Sequence, residues 1–253
     1  IIDHTNGQVV GSVGGLGEDS PTYGKNRASD LNRQPGSSIK PLAAIAPGLE
    51  DNIITAATVY DDSPTSFGGE SFSNSTGYLG LTTVRDAIKN SSNIVNMKIL
   101  SNVGPERAID FLHEAGLTNF TKEDDAMLTL VLGGSSNGTS PLQMAAAYAM
   151  IARGGEYIEP TFYTKVEDSN GNIILEAKQE TRRVMSEGNA YVLSEILTAP
   201  TTSGGTAWTC AIPGMEVAAK TGTTSDYFDY WLCGFTPYYA AATWFGYDYN
   251  EEI

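Results

Sequence analysis

Strand-like patterns at both ends of the chain, with helical patterns between them, restrict the folds open to this sequence. Asn6-Gly7 separates two short apolar runs within residues 1–15, which is a strong hairpin signal. Residues 215–248 contain three further alternating runs with turns between them. Because strands from both ends can share one sheet, we predict an α+β fold. An antiparallel sheet built from both chain ends would be flanked by helices and interrupted by an inserted all-helical lobe.

The change from helical to strand-like patterning sets the expected lobe boundaries. Residues 1–50 and 156–253 are assigned to the sheet lobe, and residues 51–155 to the helical lobe. Helix starts with capping side chains are predicted at Thr82-Thr83, Thr139-Ser140 and Ser186, and a second hairpin is predicted at Asn170-Gly171. Clefts between two lobes commonly hold active sites, so we expect the chemistry at this boundary.

The composition is that of an acidic globular domain. The 253 residues include 30 Asp+Glu and 15 Lys+Arg, which gives a formal net charge of −15. This charge argues against nucleic-acid and anionic-membrane partners, because both bind through clustered Lys and Arg. No stretch approaches the roughly 18 apolar residues that a membrane span requires. The chain opens at Ile1, without Met, so we interpret it as a segment whose membrane anchor would lie outside it.

The two cysteines, Cys210 and Cys233, are too few for a disulfide scaffold and do not match a zinc site. If a turn at residues 224–228 joins two strands, Cys233 faces residues near position 219. Cys210 then lies about nine residues farther along, roughly 30 Å at the rise of a strand. A disulfide requires Cα atoms within about 7 Å, so we expect free, buried thiols.

The first motif that carries chemistry is Ser37-Ser38-Ile39-Lys40, directly after Pro35-Gly36 and at the start of a helical segment. Residues three apart share one face of a helix, so the Lys40 amine can reach the Ser37 hydroxyl. Burial near another cation lowers the pKa of a lysine and makes it a general base. A Ser-x-x-Lys spacing is common by chance, and by itself the motif also fits a helix cap beside a solvated lysine.

The second motif is Ser91-Ser92-Asn93, in the junction between two helical segments. In a turn, Ser91 and Asn93 can point into the same cleft, where a hydroxyl relays a proton and an amide holds a peptide group. By itself, the motif also fits a helix-cap cluster. Residues 135–137 have the same three letters, but they lie among glycines before a capped helix. We interpret that second copy as a turn.

The third motif is Lys220-Thr221-Gly222-Thr223, at the end of a strand-like run. Gly222 lets a ligand approach the strand backbone closely. The hydroxyls of Thr221 and Thr223, together with the Lys220 charge, suit a substrate carboxylate. The alternative interpretation is a strand that ends in a turn.

In this order, the three motifs resemble those of the penicillin-binding protein transpeptidase domain. The segment RQPGSSIKP at residues 33–41 is most similar to the class A, bifunctional group. The likeness continues in the opening hairpin, in TSPLQMAAAYAMIARGG (139–155), in TSGGTA (202–207) and in DYWLCGFTP (229–237), and so covers essentially the whole chain.

The resemblance implies a D,D-transpeptidase that cross-links peptidoglycan stem peptides and releases the terminal D-alanine. Ser37 would be the nucleophile and Lys40 would take its proton. Ser91, helped by Lys220, would relay a proton to the departing D-alanine. Asn93 would hold the donor peptide and orient Lys40.

The resemblance also implies how substrate and charge are held. Backbone N–H groups of Ser37 and Thr223 would form the oxyanion hole, and Thr221, Gly222 and Thr223 would bind the end of the substrate. The partners would be the D-Ala-D-Ala donor, an acceptor amine and β-lactam antibiotics, with no metal and no organic cofactor. We expect a larger bifunctional protein with an N-terminal glycosyltransferase, at the extracytoplasmic face of a bacterial membrane.

Several alternatives keep the same fold. A D,D-carboxypeptidase would use water in place of the acceptor amine. A class A β-lactamase would carry a Glu-x-x-Leu-Asn stretch, and none lies between Asn93 and Lys220. A non-turnover β-lactam sensor would follow membrane-signalling segments, and a catalytically inactive scaffold would lose motifs that are intact here.

Overall fold

The computed structural model describes residues 1–15, 24–121 and 128–253. Its strands are β1 (Ile2–Asp3), β2 (Gln8–Val9), β3 (Val59–Asp62), β4 (Thr65–Phe67), β5 (Glu70–Phe72), β6 (Gly80–Thr83), β7 (Glu156–Ile158), β8 (Lys165–Glu167), β9 (Ile173–Glu176), β10 (Thr181–Arg183), β11 (Ala218–Thr223), β12 (Asp229–Phe235) and β13 (Tyr239–Gly246). Its α-helices are α1 (Ala46–Glu50), α2 (Val84–Lys89), α3 (Asn93–Val103), α4 (Pro105–Glu114), α5 (Pro141–Ala152) and α6 (Glu187–Thr198). A 3-10 helix (Gly36–Ile39) and a π-helical stretch (Pro41–Ile45) lead into α1, and further 3-10 turns lie at Leu128–Leu132, Ala199–Thr201 and Trp208–Cys210. Among the described helices, none is both long and apolar enough to cross a membrane.

The main sheet joins the two ends of the chain. Its strand order is β11-β12-β13-β1-β2, and all neighbours are antiparallel. Ile2 of β1 pairs with Ala240 of β13, so the first strand extends a sheet made by the last three. This confirms the predicted sheet. The opening hairpin has a four-residue connection, residues 4–7, rather than the two-residue turn expected from Asn6-Gly7.

Helix α5 lies at the centre of the hydrophobic core. Its residues 144–151 are all buried, and the helix packs against β12, β13 and α6. A helix that is apolar on every side is stable only when neighbours cover every side. Its start follows the prediction, because Ser140 and Gln143 form a reciprocal capping box and Pro141 occupies the first turn. Thr83 and Ser186 likewise cap α2 and α6.

The inserted region is less uniformly helical than the sequence predicted. Residues 59–83 form two small two-stranded sheets, β3 with β6 and β4 with β5. The β4–β5 connection is the pair Gly68-Gly69, and both glycines have positive φ. A two-residue hairpin loop of type I′ needs this conformation at both positions, which glycine adopts without steric cost. These strands have only three or four residues, too few for a clear alternating pattern.

Both cysteine thiols are free, as predicted. Cys233 is buried on β12 and pairs with Lys220, one position from the expected residue 219. Cys210 lies in a 3-10 turn and is partly exposed, so the expectation that both thiols are buried was wrong for Cys210. The 3-10 turn holds Cys210 outside the packed sheet, where solvent reaches it.

Candidate active site

The three sequence motifs meet where the main sheet contacts the inserted helical region. Lys40 follows the 3-10 helix that carries Ser37, Ser91 lies between α2 and α3, and Lys220 lies on β11. The Lys40 Nζ to Ser91 Oγ distance is 3.2 Å, and the Lys220 Nζ to Ser91 Oγ distance is 2.8 Å. The fold therefore places one hydroxyl between two lysine amines that are 180 residues apart in sequence.

Buried side chains hold the segment around Ser37 by its backbone. Trp231 Nε1 donates to the Gln34 carbonyl oxygen at 2.9 Å, and Tyr148 Oη donates to the Ser38 carbonyl oxygen at 2.8 Å. These donors come from β12 and α5, so the sheet and the central helix both fix the segment. Ser37 itself is half-buried, whereas its neighbours Gly36 and Ser38 are buried.

Two glycines let β11 lie directly against this segment. Gly36 has a φ of +54°, and a Cβ there would lie 2.7 Å from the Thr223 carbonyl oxygen. A Cβ on Gly222 would lie 2.3 Å from the Pro35 carbonyl oxygen and 3.0 Å from the Ser38 nitrogen. Any larger residue at either position would push the strand away, so the contact between β11 and the Ser37 segment requires glycine on both sides.

The Lys40 amine is fully buried and has three hydrogen-bond acceptors. It donates to the Ser91 carbonyl oxygen at 2.7 Å, to Ser91 Oγ, and to Asn93 Oδ1 at 2.7 Å. Burial, followed by the positive charge of Lys220, holds the pKa of Lys40 well below its usual range, and the negative charge of Asp62 opposes this shift. A lysine whose pKa is lowered in this way loses its proton more readily than a free lysine, which makes it a better general base.

The contact expected between the Lys40 amine and the Ser37 hydroxyl is not among the hydrogen bonds of the described residues. The two residues are one turn apart as predicted, because the Lys40 backbone N–H donates to the Ser37 carbonyl oxygen. The amine is instead directed toward the Ser91 and Asn93 acceptors. Hydrogen bonds of catalytic groups often form fully only when substrate is bound.

Lys220 is also fully buried, and burial lowers its pKa to about 7. Its amine donates to Ser91 Oγ and to the Thr221 carbonyl oxygen at 3.0 Å. The neighbouring Cys233 thiol stays protonated, because burial raises its pKa to about 12. The Lys40 amine, the Ser91 hydroxyl and the Lys220 amine therefore form a continuous hydrogen-bonded chain along which a proton can pass.

The two threonines of the third motif alternate with buried residues along β11. Thr221 is half-buried and Thr223 is exposed, whereas Lys220 and Gly222 are buried. Residues two apart on a strand lie on the same face, so both threonine hydroxyls are on one side of β11. A ligand carboxylate beside this face would meet both hydroxyls.

The second Ser-Ser-Asn copy is a turn, as predicted. The Gly138 backbone N–H donates to Ser135 Oγ at 3.0 Å, and Gln34 Nε2 donates to the Ser135 carbonyl oxygen at 3.3 Å. Residues 135–138 line a polar cavity of about 380 Å³, beside Arg33 and the end of β11. This turn therefore supports the chain just before Ser37 and does not contact the two lysines directly.

Sequence reasoning did not identify two polar residues of the inserted region that hold the second motif. Asp62 Oδ1 accepts from Ser92 Oγ at 2.9 Å, and Asn74 Oδ1 accepts from the Asn93 backbone N–H at 2.7 Å. Both residues lie in the region expected to be helical, where single polar residues are usually on the surface. No local sequence signal marks either residue, because their contacts with the second motif span 18 or more positions.

The fold and the arrangement of these residues define the class of penicillin-binding and serine β-lactamase-like proteins. The penicillin binding protein transpeptidase domain matches residues 1–251, and the chain belongs to this family. It is 36% identical over 265 residues to "Penicillin-binding protein 1A" of Clostridium botulinum (strain Langeland), covering all of this chain and 32% of that protein. It is 32% identical over 268 residues to "Penicillin-binding protein 1A/1B" of Bacillus subtilis (strain 168), covering 99% of this chain and 29% of that protein.

The solved structures that resemble the chain agree with this assignment. The penicillin-binding protein PonA1 from Mycobacterium tuberculosis superposes with a TM-score of 0.86 at 28% identity, covering 100% of this chain and 68% of that one. The same protein in complex with penicillin V gives a TM-score of 0.83 at 27% identity, covering 96% of this chain and 66% of that one. The chain spans about a third of the length of the curated relatives it matches.

Proposed function

We propose that this domain is a serine D,D-transpeptidase that forms an acyl-enzyme at Ser37 and transfers the acyl group to an amine. The observation that carries the proposal is the Ser91 hydroxyl held between the buried Lys40 and Lys220 amines, beside the segment that carries the half-buried Ser37. Such an arrangement moves protons to and from a serine ester without a histidine.

In the first half of the reaction, Ser37 Oγ attacks the carbonyl carbon between two D-alanines of a stem peptide. Its proton passes to the unprotonated form of the Lys40 amine, which the lowered pKa of Lys40 favours. Backbone N–H groups of Ser37 and Thr223 stabilise the negative oxygen of the tetrahedral intermediate. The close approach that Gly36 permits places the Thr223 backbone beside the Ser37 segment, which supports this role.

Collapse of the intermediate requires a proton for the departing amine. The protonated Lys40 amine donates to Ser91 Oγ, and Ser91 passes a proton to the nitrogen of the released D-alanine. Lys220 stabilises the negative charge that develops on Ser91 during this relay. Asn93 Oδ1 keeps the Lys40 amine in place, and the Asn93 amide is available to the donor peptide.

Thr221 and Thr223 bind the terminal carboxylate of the donor, and Gly222 lets the strand that carries them lie directly against residues 35–38. In the second half, an acceptor amine attacks the Ser37 ester and loses a proton to Lys40, and Ser37 Oγ recovers its proton. β-Lactams acylate the same serine, and the ester they leave is hydrolysed slowly. Water in place of the amine would make the domain a carboxypeptidase.

We further propose that the domain acts within a larger protein at the extracytoplasmic face of a bacterial membrane. The curated relatives are about three times longer than the chain, which supports a bifunctional protein with an N-terminal glycosyltransferase. The membrane anchor would belong to that additional part. Peptidoglycan synthesis, cell shape and the response to β-lactam antibiotics are the processes that such a protein serves.

The test is the intact mass of the protein after incubation with a β-lactam, followed over hours, with Ser37→Ala as the control variant. A stable adduct of one drug mass that Ser37→Ala does not form supports the proposal. Turnover of a stem-peptide mimic with an added amine then separates transfer to the amine from hydrolysis. An adduct that clears within minutes would favour a β-lactamase, and no adduct at all would overturn the proposal.

A further inference from the structure

Asp62 is a fully buried carboxylate that the proposed chemistry does not use. It lies at the end of β3 and accepts hydrogen bonds from Asn74 Nδ2 at 2.9 and 3.0 Å, from the Leu79 backbone N–H at 3.1 Å, and from Ser92 Oγ at 2.9 Å. A buried charge is costly unless several donors satisfy it, and Asp62 has them. The carboxylate is therefore part of a built polar network.

The two side chains that Asp62 holds both contact the start of α3. Asn74 Oδ1 accepts from the backbone N–H groups of Asn93 at 2.7 Å and Ile94 at 3.2 Å. Ser92 Oγ, which donates to Asp62, also accepts from the third residue of the helix as its N-cap. The Asp62 carboxylate is itself held by Asn74, Ser92 and the Leu79 backbone N–H. Through Asn74 and Ser92 it therefore holds the first turn of α3 in place.

The first turn of α3 determines where the Lys40 acceptors lie. Ser91 immediately precedes it and has a φ of +57°, a left-handed conformation that is unfavourable for serine. The conformation persists only where neighbouring residues over-determine it. Ser92 and Asn93, held by Asp62 and Asn74, are those neighbours on the C-terminal side.

We propose that Asp62, acting through Asn74 and Ser92, is a positioning residue that holds Ser91 and Asn93 against the Lys40 amine. The proposal rests on the proposed function of the site. Asp62 does not touch the reacting atoms, and it acts by keeping three acceptor atoms in place around one amine. Misplacement of such groups by about 1 Å lowers rates by one to two orders of magnitude.

Asp62 also supplies the negative charge that faces Lys40. Among the described residues, the other charged group facing Lys40 is Lys220 on β11. Burial and then Lys220 lower the Lys40 pKa, while Asp62 raises it. Tyr148 on α5 and Cys233 on β12 lie near the same segment and stay neutral, because burial raises both pKa values. Loss of the Asp62 charge should therefore lower the pKa of Lys40 further.

The experiment measures the second-order rate constant for acylation by a fluorescent penicillin from pH 5 to pH 10. It compares the wild-type chain with Asp62→Asn, Asn74→Ala and the exchange variant Asp62→Asn/Asn74→Asp. The matched control is Asp61→Asn, which removes the same charge from the exposed neighbouring residue of β3. Thermal unfolding of each variant shows that it is folded, and Asn74→Ala provides the test if Asp62→Asn does not fold.

We expect Asp62→Asn and Asn74→Ala to lower the rate constant about tenfold and Asp61→Asn to leave it within about twofold of wild type. In Asp62→Asn, the rising limb of the pH profile should move to lower pH by about half a unit or more. The exchange variant keeps one carboxylate and one amide in the pair. It should therefore recover most of the acylation rate constant and return the rising limb of the pH profile to its wild-type position.

Asp62→Asn with the same rate and pH limb as Asp61→Asn would overturn the inference. A lower rate that the exchange variant does not recover, with an unmoved limb, would also overturn it, because the loss would then reflect packing alone. If wild type and Ser37→Ala are acylated equally, the proposed function itself fails. The two failures are therefore distinguishable.

Discussion

The chain contains the tripeptide Ser-Ser-Asn twice, and the two copies have different surroundings. In the first copy, Ser91 Oγ lies between the Lys40 and Lys220 amines, and Ser92 caps α3. In the second copy, Ser135 Oγ accepts from a backbone N–H three residues later, which closes a turn. The same tripeptide therefore forms a candidate proton relay at residues 91–93 and a structural turn at residues 135–137.

The difference comes from contacts made across the chain. The first copy follows a short helix and is held by β3, β11 and the Ser37 segment, all distant in sequence. The second copy lies between glycines, and Gly138, which directly follows it, packs against the Arg33 backbone. A short motif becomes a candidate site only where the fold brings charged partners to it.

The largest effect expected from this comparison is on acylation by a β-lactam. Ser91→Ala removes the hydroxyl that joins the two lysines, so proton transfer to the leaving group loses its relay. We expect the acylation rate constant to fall about 100-fold or more, the usual contribution of a positioned acid–base group. Stopped-flow or gel-based measurements with a fluorescent penicillin provide this rate constant.

The matched control is Ser135→Ala, which removes the corresponding hydroxyl from the second copy. Its acylation rate constant should stay within about twofold of wild type, because Ser135 contacts neither lysine in the described structure. Equal losses in both variants would show that the two copies differ less than their contacts indicate.

Much of the fold could be predicted because its signals are local in sequence. The caps Thr83, Ser140 and Ser186, the proline in the first turn of α5 and the alternating terminal strands each depend on neighbouring residues. The three motifs were also recognisable, and the structure brings their residues together. The short strands β3–β6 were missed, since three or four residues carry too little periodicity.

The detailed arrangement of the candidate site could not be predicted in the same way. The left-handed conformation of Ser91 and the direction of the Lys40 amine depend on Asp62 and Asn74, which lie 17 or more positions away from either residue. Hydrogen bonds between such distant residues leave no periodic pattern in the sequence. The preference of Lys40 for Ser91 and Asn93 over Ser37 is a property of packing.

A second, smaller effect is expected in the pH dependence of stability. It tests whether the buried Lys220 amine, which contacts the first copy but not the second, has a lowered pKa. The pKa of Lys220 is lowered to about 7 in the folded chain, whereas an unfolded lysine titrates near 10.4. Between these values the unfolded state binds more protons, so the free energy of unfolding rises with pH. From pH 7 to pH 9, wild type should gain about 2 kcal/mol more than Lys220→Met, in which this group is absent.

Urea unfolding at both pH values measures this difference. The control is Lys178→Met, which removes an exposed lysine and should keep the additional stability that wild type gains from pH 7 to pH 9. If Lys220→Met gains as much stability as wild type, Lys220 is protonated throughout this range. That result would contradict the proton chain proposed for the first copy.

The smallest effect concerns the second copy and its support of the chain before Ser37. Ser135 is buried, and its hydroxyl satisfies the Gly138 backbone N–H, so Ser135→Ala leaves that donor without its partner. Leaving one buried donor unsatisfied typically costs about 1 kcal/mol or somewhat more. We expect the free energy of unfolding, measured by urea unfolding, to fall by about 1 kcal/mol, with acylation preserved.

The control is Asn137→Ala, at an exposed position of the same turn, which should change the free energy of unfolding by less than about 0.5 kcal/mol. A loss of acylation in Ser135→Ala without a loss of stability would instead make the second copy part of the candidate site, because only a direct effect on the Ser37 segment could produce it.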